Sequence, residues 1–386
     1  MSDDQFWIEI IVTLIISFGV TLALIPLARF LAVKLDAIDY PGVRRVNMRP
    51  VARLGGVAMF GGIAMSVAVI IIGFTFFQLP NPFVTHPNLE VNYVGVGLGV
   101  LVMFVVGLID DLKDLTPKEK LIGQIISACI IAGSGLLLAN IMNPFGEGYI
   151  EFGFWAYPIT VFYLVAFANI INLIDGLDGL AGGITTISSL TLFVFSCFTG
   201  RPDAAILCII IIGVCSAFLT RNVYPATIFM GDSGALVLGL SLGIISLFAV
   251  ARSALVLSLV VPILAAGVPI IDTFFAIIRR KLQHHRIDQA DKGHIHHQLM
   301  RAGFSQPKTV LIMWTWTALL SICALLIVFL DSVYRIPVIV FIAIVSGVII
   351  AKLHLLGPVL AHHFHPRIRF KKEHTANTDS ENNKES

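Results

Sequence analysis

The chain has 386 residues, 57% of them hydrophobic and 13% charged, and a mean hydropathy of +0.89, a balance far more apolar than that of a soluble domain. Its formal net charge is only +2, and nucleic acid is not an expected partner. Cys129, Cys197, Cys208, Cys215 and Cys323 all fall in apolar stretches without the spacing of a zinc or redox pair, so disulfides are not expected either.

Apolar spans follow one another at 7–33, 54–78, 93–110, 118–142, 154–172, 179–199, 203–220, 229–250, 253–278, 309–331 and 334–356. Most are close to the ~20 residues that cross a bilayer as a helix. The expected fold class is therefore all-α: a polytopic integral membrane protein of about eleven transmembrane helices. The start, MSDDQFWIEI, has an acidic flank and no basic n-region, so the first span is expected to be retained rather than cleaved. Of 26 Lys and Arg, only Arg201, Arg252 and Arg335 belong to the even-numbered loops; the positive-inside rule then puts the N-terminus outside and the C-terminus in the cytoplasm. No internal repeat is found, so residues 1–358 are expected to form one membrane catalytic domain, followed by a basic-to-polar tail at 359–386 that ends in a disordered KKEHTANTDSENNKES.

In chain order, the first polar landmark is the loop between spans one and two, where Arg44, Arg45, Arg49 and Arg53 lead into Gly55 and Gly56. Span three then ends in GLIDDLKDL. Asp110 and Asp111 sit at the negative end of a helix dipole, where acids are unfavourable, so a cation is expected beside them. Arg53 and Lys120 each close a loop on that side and are the better anion ligands among the flanking bases. After span five comes NLIDGLDGLAGG, with Asn172, Asp175 and Asp178 among glycines: oxygen donors on a loop that lets a ligand approach closely, or simply a glycine-rich exit from the membrane. FMGDSGAL puts Asp232 at the start of span eight, where it would hold a metal against a phosphate or act as a helix N-cap. Asp272 lies within span nine after Pro262 and Pro269 and needs a partner or a polar cleft. The nine-to-ten loop carries His294, His296 and His297, suited to a diphosphate or to proton transfer, or solvated. His362, His363 and His365 have no nearby acids and read as membrane-surface or structural residues.

With the spans alternating, Asp110, Asp111, Asp114, Asn172, Asp175, Asp178, Asp232 and the histidines of the nine-to-ten loop all fall on the cytoplasmic side, which points to one site facing the cytoplasm. The ordered set GLIDDLKDL, NLIDGLDGLAGG, FMGDSGALVLG, PIIDTFFAIIRR and DKGHIHHQLMRAGF, across about 40–310, resembles the polyprenyl-phosphate N-acetylhexosamine-1-phosphate transferase superfamily, and within it the bacterial enzymes that load GlcNAc-1-phosphate onto undecaprenyl phosphate. The MurNAc-pentapeptide branch typically has three consecutive histidines where this chain reads His294, Ile295, His296, His297.

The resemblance implies transfer of GlcNAc-1-phosphate from UDP-GlcNAc to undecaprenyl phosphate with release of UMP, the first membrane step of a surface glycan such as O-antigen, in a bacterial inner membrane. It implies Mg²⁺, with Mn²⁺ as a substitute, held by Asn172 and Asp232; Asp110 and Asp111 as the essential acidic pair, with Asp175 grouped as a catalytic acid; Phe229 stacked on uracil and Asp178 at its edge; and Lys120 with His294, His296 and His297 on the phosphates. At Asn47 the family often has His or Lys, and no role is assigned there. Phosphoanhydride exchange asks for in-line geometry and charge neutralisation more than for covalent chemistry. The attacking lipid phosphate, with a second pKa of ~6, needs no strong base, so direct attack is expected. Membrane lipid is a further partner, and a homodimer is left open. Two rivals also fit parts of the pattern: an intramembrane prenyltransferase using Asp110, Asp111 and Asp114 as D-D-x-x-D, and a transporter, whose charges belong near the midplane.

Overall fold

In lipid every backbone N–H and C=O must be satisfied within its own segment, so long apolar runs without paired charges become helices. The computed structural model describes residues 3–41, 49–77, 79–83, 91–143, 148–250, 259–282 and 293–352. The tail 359–386, Arg44, Arg45, Asn47, Arg252, His362, His363 and His365 lie outside the described residues. In chain order the helices are α1 Asp3–Lys34, α2 Gly55–Phe76, α3 Tyr93–Lys113, α4 Pro117–Gly133, α5 Ala156–Ile174, α6 Leu180–Phe198, α7 Pro202–Asn222, α8 Gly231–Val250, α9 Val260–Ala265, α10 Gly267–Leu282, α11 Ile295–Arg301, α12 Gln306–Phe329 and α13 Ser332–Lys352. The chain is an all-α polytopic membrane protein. Nine of the described helices are long and apolar enough to cross a bilayer: α1, α2, α3, α5, α6, α7, α8, α12 and α13.

The other two expected spans differ in detail. The fourth stops as a helix at Gly133, where Ser134 donates its hydroxyl to Ile131 O at 2.6 Å and Gly135 takes a φ of +92° that turns the chain out of the helix. The residues that follow form strand β3 (Asn140–Met142), antiparallel to β4 (Tyr149–Glu151). The ninth span is broken into α9 and α10 at Ala266, where Pro269 has no N–H to donate to Ala265 O. A second small ladder, earlier in the chain, pairs β1 (Ile38–Asp39) with β2 (Val51–Ala52).

At the centre stands α8. It has no charge beyond Asp232 and is apolar or small all round, and Ser233 through Val250 are all buried; a helix without a polar face has to be surrounded. α2, α3, α5, α6 and α7 pack around it. α1 lies against α2 and α7, while α12 closes the far side against α6 and α9. One cluster of buried apolar side chains runs through this bundle from Ile10 to Val328. An apolar cavity of about 480 Å³ opens between α2, α3, α7 and α8, lined by Phe60, Val67, Tyr93, Val100, Ile211 and Phe248 among others. Because the helices alternate in direction, the starts of α2, α4, α6 and α8 share one end of the bundle with the ends of α3, α5 and α7. The motifs collect at that end.

Candidate active site

Asp110 and Asp111, on the last turn of α3, are both buried. Asp110 Oδ1 accepts the Leu115 N–H at 2.7 Å, tying down the chain as it leaves the helix. Asp111 serves another helix: its Oδ1 accepts the Asp232 N–H at 2.7 Å, and its Oδ2 accepts the Ser233 N–H at 3.0 Å and the Ser233 hydroxyl at 2.5 Å. An acid misplaced for the dipole of α3 is well placed for that of α8, whose free N-terminal amides it satisfies. Two glycines allow the contact. A Cβ on Gly107 would stand 2.5 Å from Ser233 Cα, and one on Gly231, which has a φ of +68°, would stand 2.5 Å from Asp111 Oδ1.

Two cations enter this junction. Arg53 is carried by the β1–β2 ladder, where its N–H bonds Ala37 O, and by the neighbouring strand-like contact of the Phe229 N–H with Ala52 O. Its guanidinium reaches Asp111 Oδ1 at 3.2 Å and Asp232 Oδ2 at 3.3 Å. Burial works against that charge, but Asp111, Asp232 and Asp114 outweigh it and hold the pKa above the usual arginine value. Lys120 is delivered by α4, which starts on a capping box between Thr116 and Glu119 with Pro117 in its first turn. Its Nζ lies 2.9 Å from Asp110 Oδ2, 2.9 Å from Asp232 Oδ1 and 3.4 Å from Asn172 Oδ1. Asn172, on the last turn of α5, also donates to Asp232 Oδ1.

The structure thus brings together Arg53, Asp110, Asp111, Lys120, Asn172 and Asp232. Among the described residues no group of three or more His, Cys, Asp or Glu is arranged to hold a metal ion. The convergent donors are two carboxylates and one amide, all oxygens, gathered around the Lys120 ammonium. That donor set suits a hard cation such as Mg²⁺, which takes one or two carboxylates and completes its shell with substrate phosphates and water. The oxygen donors present fit such an ion at the place that the Lys120 ammonium occupies.

Asp175 follows Asn172 on the loop between α5 and α6, outside the ion-pair cluster. Burial first, then the nearby charges of Asp232, Asp111 and Asp178, push its carboxyl up to about 8. Asp178 Oδ2 accepts the Ala226 N–H at 2.9 Å, which ties this loop to the segment before α8. Asn222 does the same from α7, accepting the Gly179 N–H and donating to Ile228 O. Phe229 is half-buried, held through its backbone between Ala52 and Gly55.

The histidines form a second group. His294 and His296 are buried with nearly parallel rings 5.7 Å apart, and His297 tilts against His296 at 4.3 Å. A Cβ on Gly176 would lie 2.7 Å from His296 Nε2, so this group rests on the loop that carries Asp175. Burial drives the His296 pKa down to about 3, and the ring is neutral at physiological pH.

Asp114 touches the cluster only at its edge: its Oδ1 lies 3.7 Å from Arg53 Nη1 and its side chain is 92% exposed, whereas that of Asp111 is 0%. A D-D-x-x-D site needs all three acids on one metal diphosphate, and the third is turned to solvent. Asp110, Asp111, Asp175, Asp178 and Asp232 lie at one end of the helices, away from the midplane a transporter would use. The sequence reading missed Ser233 as an Asp111 partner, and its signal was present as the residue after Asp232 in a helix first turn. It also missed the loop ties of Asn222, for which no sequence signal exists.

Residues 93–250 match the description "Glycosyl transferase family 4". The chain is 36% identical over 324 residues, 84% of its length and 86% of the relative's, to the probable undecaprenyl-phosphate N-acetylglucosaminyl 1-phosphate transferase of Bacillus subtilis. It is 31% identical to the decaprenyl-phosphate N-acetylglucosaminephosphotransferase of Mycolicibacterium smegmatis, over 86% of this chain and 85% of that protein. Identity to the phospho-N-acetylmuramoyl-pentapeptide-transferase of Chloroherpeton thalassium is 29%, over 69% of this chain and 78% of that one. With the motif residues gathered at one end of the bundle and these similarities running along most of the chain, the protein belongs to the polyprenyl-phosphate N-acetylhexosamine-1-phosphate transferase superfamily, within glycosyl transferase family 4.

Proposed function

We propose that the chain transfers GlcNAc-1-phosphate from UDP-GlcNAc to undecaprenyl phosphate, giving undecaprenyl-diphospho-GlcNAc and UMP, at the cytoplasmic face of a bacterial inner membrane. The observation that carries this reading is the meeting of Asp110, Asp111, Asn172 and Asp232 with Lys120 and Arg53 at one end of an apolar bundle. There a water-borne diphosphate and a lipid-borne phosphate can share a site. The relatives named for N-acetylglucosaminyl phosphate transfer align over more of the chain than the MurNAc-pentapeptide enzyme, which favours GlcNAc.

In this mechanism an oxygen of the lipid phosphate bonds to the sugar-bearing phosphorus, and the bridging anhydride oxygen leaves with UMP. Lys120 and Arg53 exchange carboxylate partners for phosphate oxygens, so the charge they bring is already held in place. Asp110 orients the lipid phosphate and takes up any residual proton. Asn172 and Asp232 would hold Mg²⁺, or Mn²⁺ in its place, and the bound ion supplies charge neutralisation on the diphosphate. Phe229 and Asp178 serve the uracil, Asp175 stands beside the metal ligands as a further acid, and the His294 to His297 group meets the phosphates.

The test is UMP release by purified protein given UDP-GlcNAc, undecaprenyl phosphate and Mg²⁺, with UDP-GalNAc and UDP-MurNAc-pentapeptide as competing donors. Release is expected to need both substrates and the metal. Asp110→Asn should retain measurable turnover, since general-base help is worth roughly 10²- to 10⁴-fold, while Asp232→Ala should show none. UMP release without lipid phosphate, or a trapped phospho-aspartate, would rule out direct attack.

A further inference from the structure

Asp272 has no part in the chemistry above. It lies on α10, 1% exposed, in the stretch of chain expected to cross the membrane. A carboxylate at that depth is costly unless hydrogen-bonded. Both of its oxygens are engaged, and both by the histidine segment: Oδ2 lies 2.8 Å from His294 Nδ1, and Oδ1 accepts the Ile295 N–H at 2.7 Å. His294 is itself 6% exposed and stacks on His296, which rests on Gly176 beside Asp175. A continuous line of contact therefore runs from α10 through two imidazoles to the loop between α5 and α6.

Building on the transferase reading above, we infer that Asp272 is a positioning residue that fixes the proton of His294 on Nδ1, leaving Nε2 as the acceptor that this ring presents to the transferase site. The chemistry follows from what the two oxygens face. A carboxylate only accepts, so the ring nitrogen beside it has to donate, and Nε2 becomes the free position. Position 272 must accept twice, from His294 and from Ile295. Asparagine has one acceptor to give, and whichever donor it serves, its amide N–H₂ opposes the other. A purely structural tie between α10 and α11 would use the same Nδ1–H donor, so the effect on turnover is what separates the two roles.

Two measurements test this. In protein labelled with ¹⁵N-histidine, the His294 signals at pH 7.5 should show Nδ1 protonated, and Asp272→Asn should move the proton to Nε2. In the UMP-release assay, Asp272→Asn should lower kcat/KM by roughly 10- to 100-fold, the range for losing the partner that orients a working histidine, and Asp272→Glu should recover part of the loss. The double variant Asp272→Asn/His294→Gln should be no slower than His294→Gln alone, since one residue acts through the other. A neutral Nε2–H tautomer in the unsubstituted protein, or losses that multiply in the double variant, would overturn the assignment. If the unsubstituted protein releases no UMP, the transferase reading falls, and the ¹⁵N spectrum still decides the tautomer.

Discussion

At the scale of single residues, Asp175 and His296 are neighbours through Gly176 and carry opposite pH dependences. Asp175 is raised to about 8, so the folded protein keeps a proton there that the unfolded chain loses near 4. This contribution to stability is present at low pH and is lost as pH rises through 8. His296 is lowered to about 3, so the unfolded chain binds a proton that the folded one refuses between 3 and the ordinary histidine value. This contribution is lost as pH falls through that window. The two oppose each other from about 4 to 6.5, and above that Asp175 acts alone. Thermal melts of metal-free protein in detergent should therefore show stability falling from pH 6.5 to 8, on the order of 1 kcal/mol per pH unit. Asp175→Asn should flatten that fall. The identities of these residues were readable as motif positions. The shifts were not, because each depends on which distant charges and apolar groups enclose the side chain.

At the scale of elements, the junction of α3 with α8 explains why acids end an apolar helix. The sequence reading anticipated a cation near Asp110 and Asp111, and both Lys120 and Arg53 are there. It did not anticipate that Asp111 would also cap the central helix, since the partner amides are more than a hundred residues away. Asp111→Asn should weaken these hydrogen bonds to a charged acceptor, each worth about 1.5–3 kcal/mol. Gly107→Ala should force α3 off the start of α8 at a cost of about 1–3 kcal/mol. Both variants should melt at lower temperature than the parent, and together by less than the sum, because they disturb one contact. Full additivity would mean that the two residues act at separate places. Helix breaks divide along the same line. Gly133, Pro262 and Pro269 were visible as residues, but whether each ends, bends or merely sits in a helix was set by what packs around it.

At the scale of the whole molecule, the proposed orientation follows from arithmetic on charged loops, and the site end of the bundle is the cytoplasmic end in that proposal. Lys118, beside Thr116 at the start of α4, and Phe154, before α5, lie at opposite ends of the helices. With the five native cysteines replaced, Phe154→Cys should react with a membrane-impermeant maleimide in intact cells, and Lys118→Cys only after permeabilisation. The reverse pattern would invert the topology and move the site outside.

The sequence by itself determined that this is a membrane-embedded helical protein with polar motifs at one end of its spans, because hydrophobic length and alternation are local properties that lipid enforces segment by segment. Only the tertiary structure decided which acid caps which helix, which cation answers which carboxylate, and that Asp272 belongs with His294. Those pairings join residues from 22 to 179 positions apart in the chain, and only helix packing brings such residues within hydrogen-bonding distance.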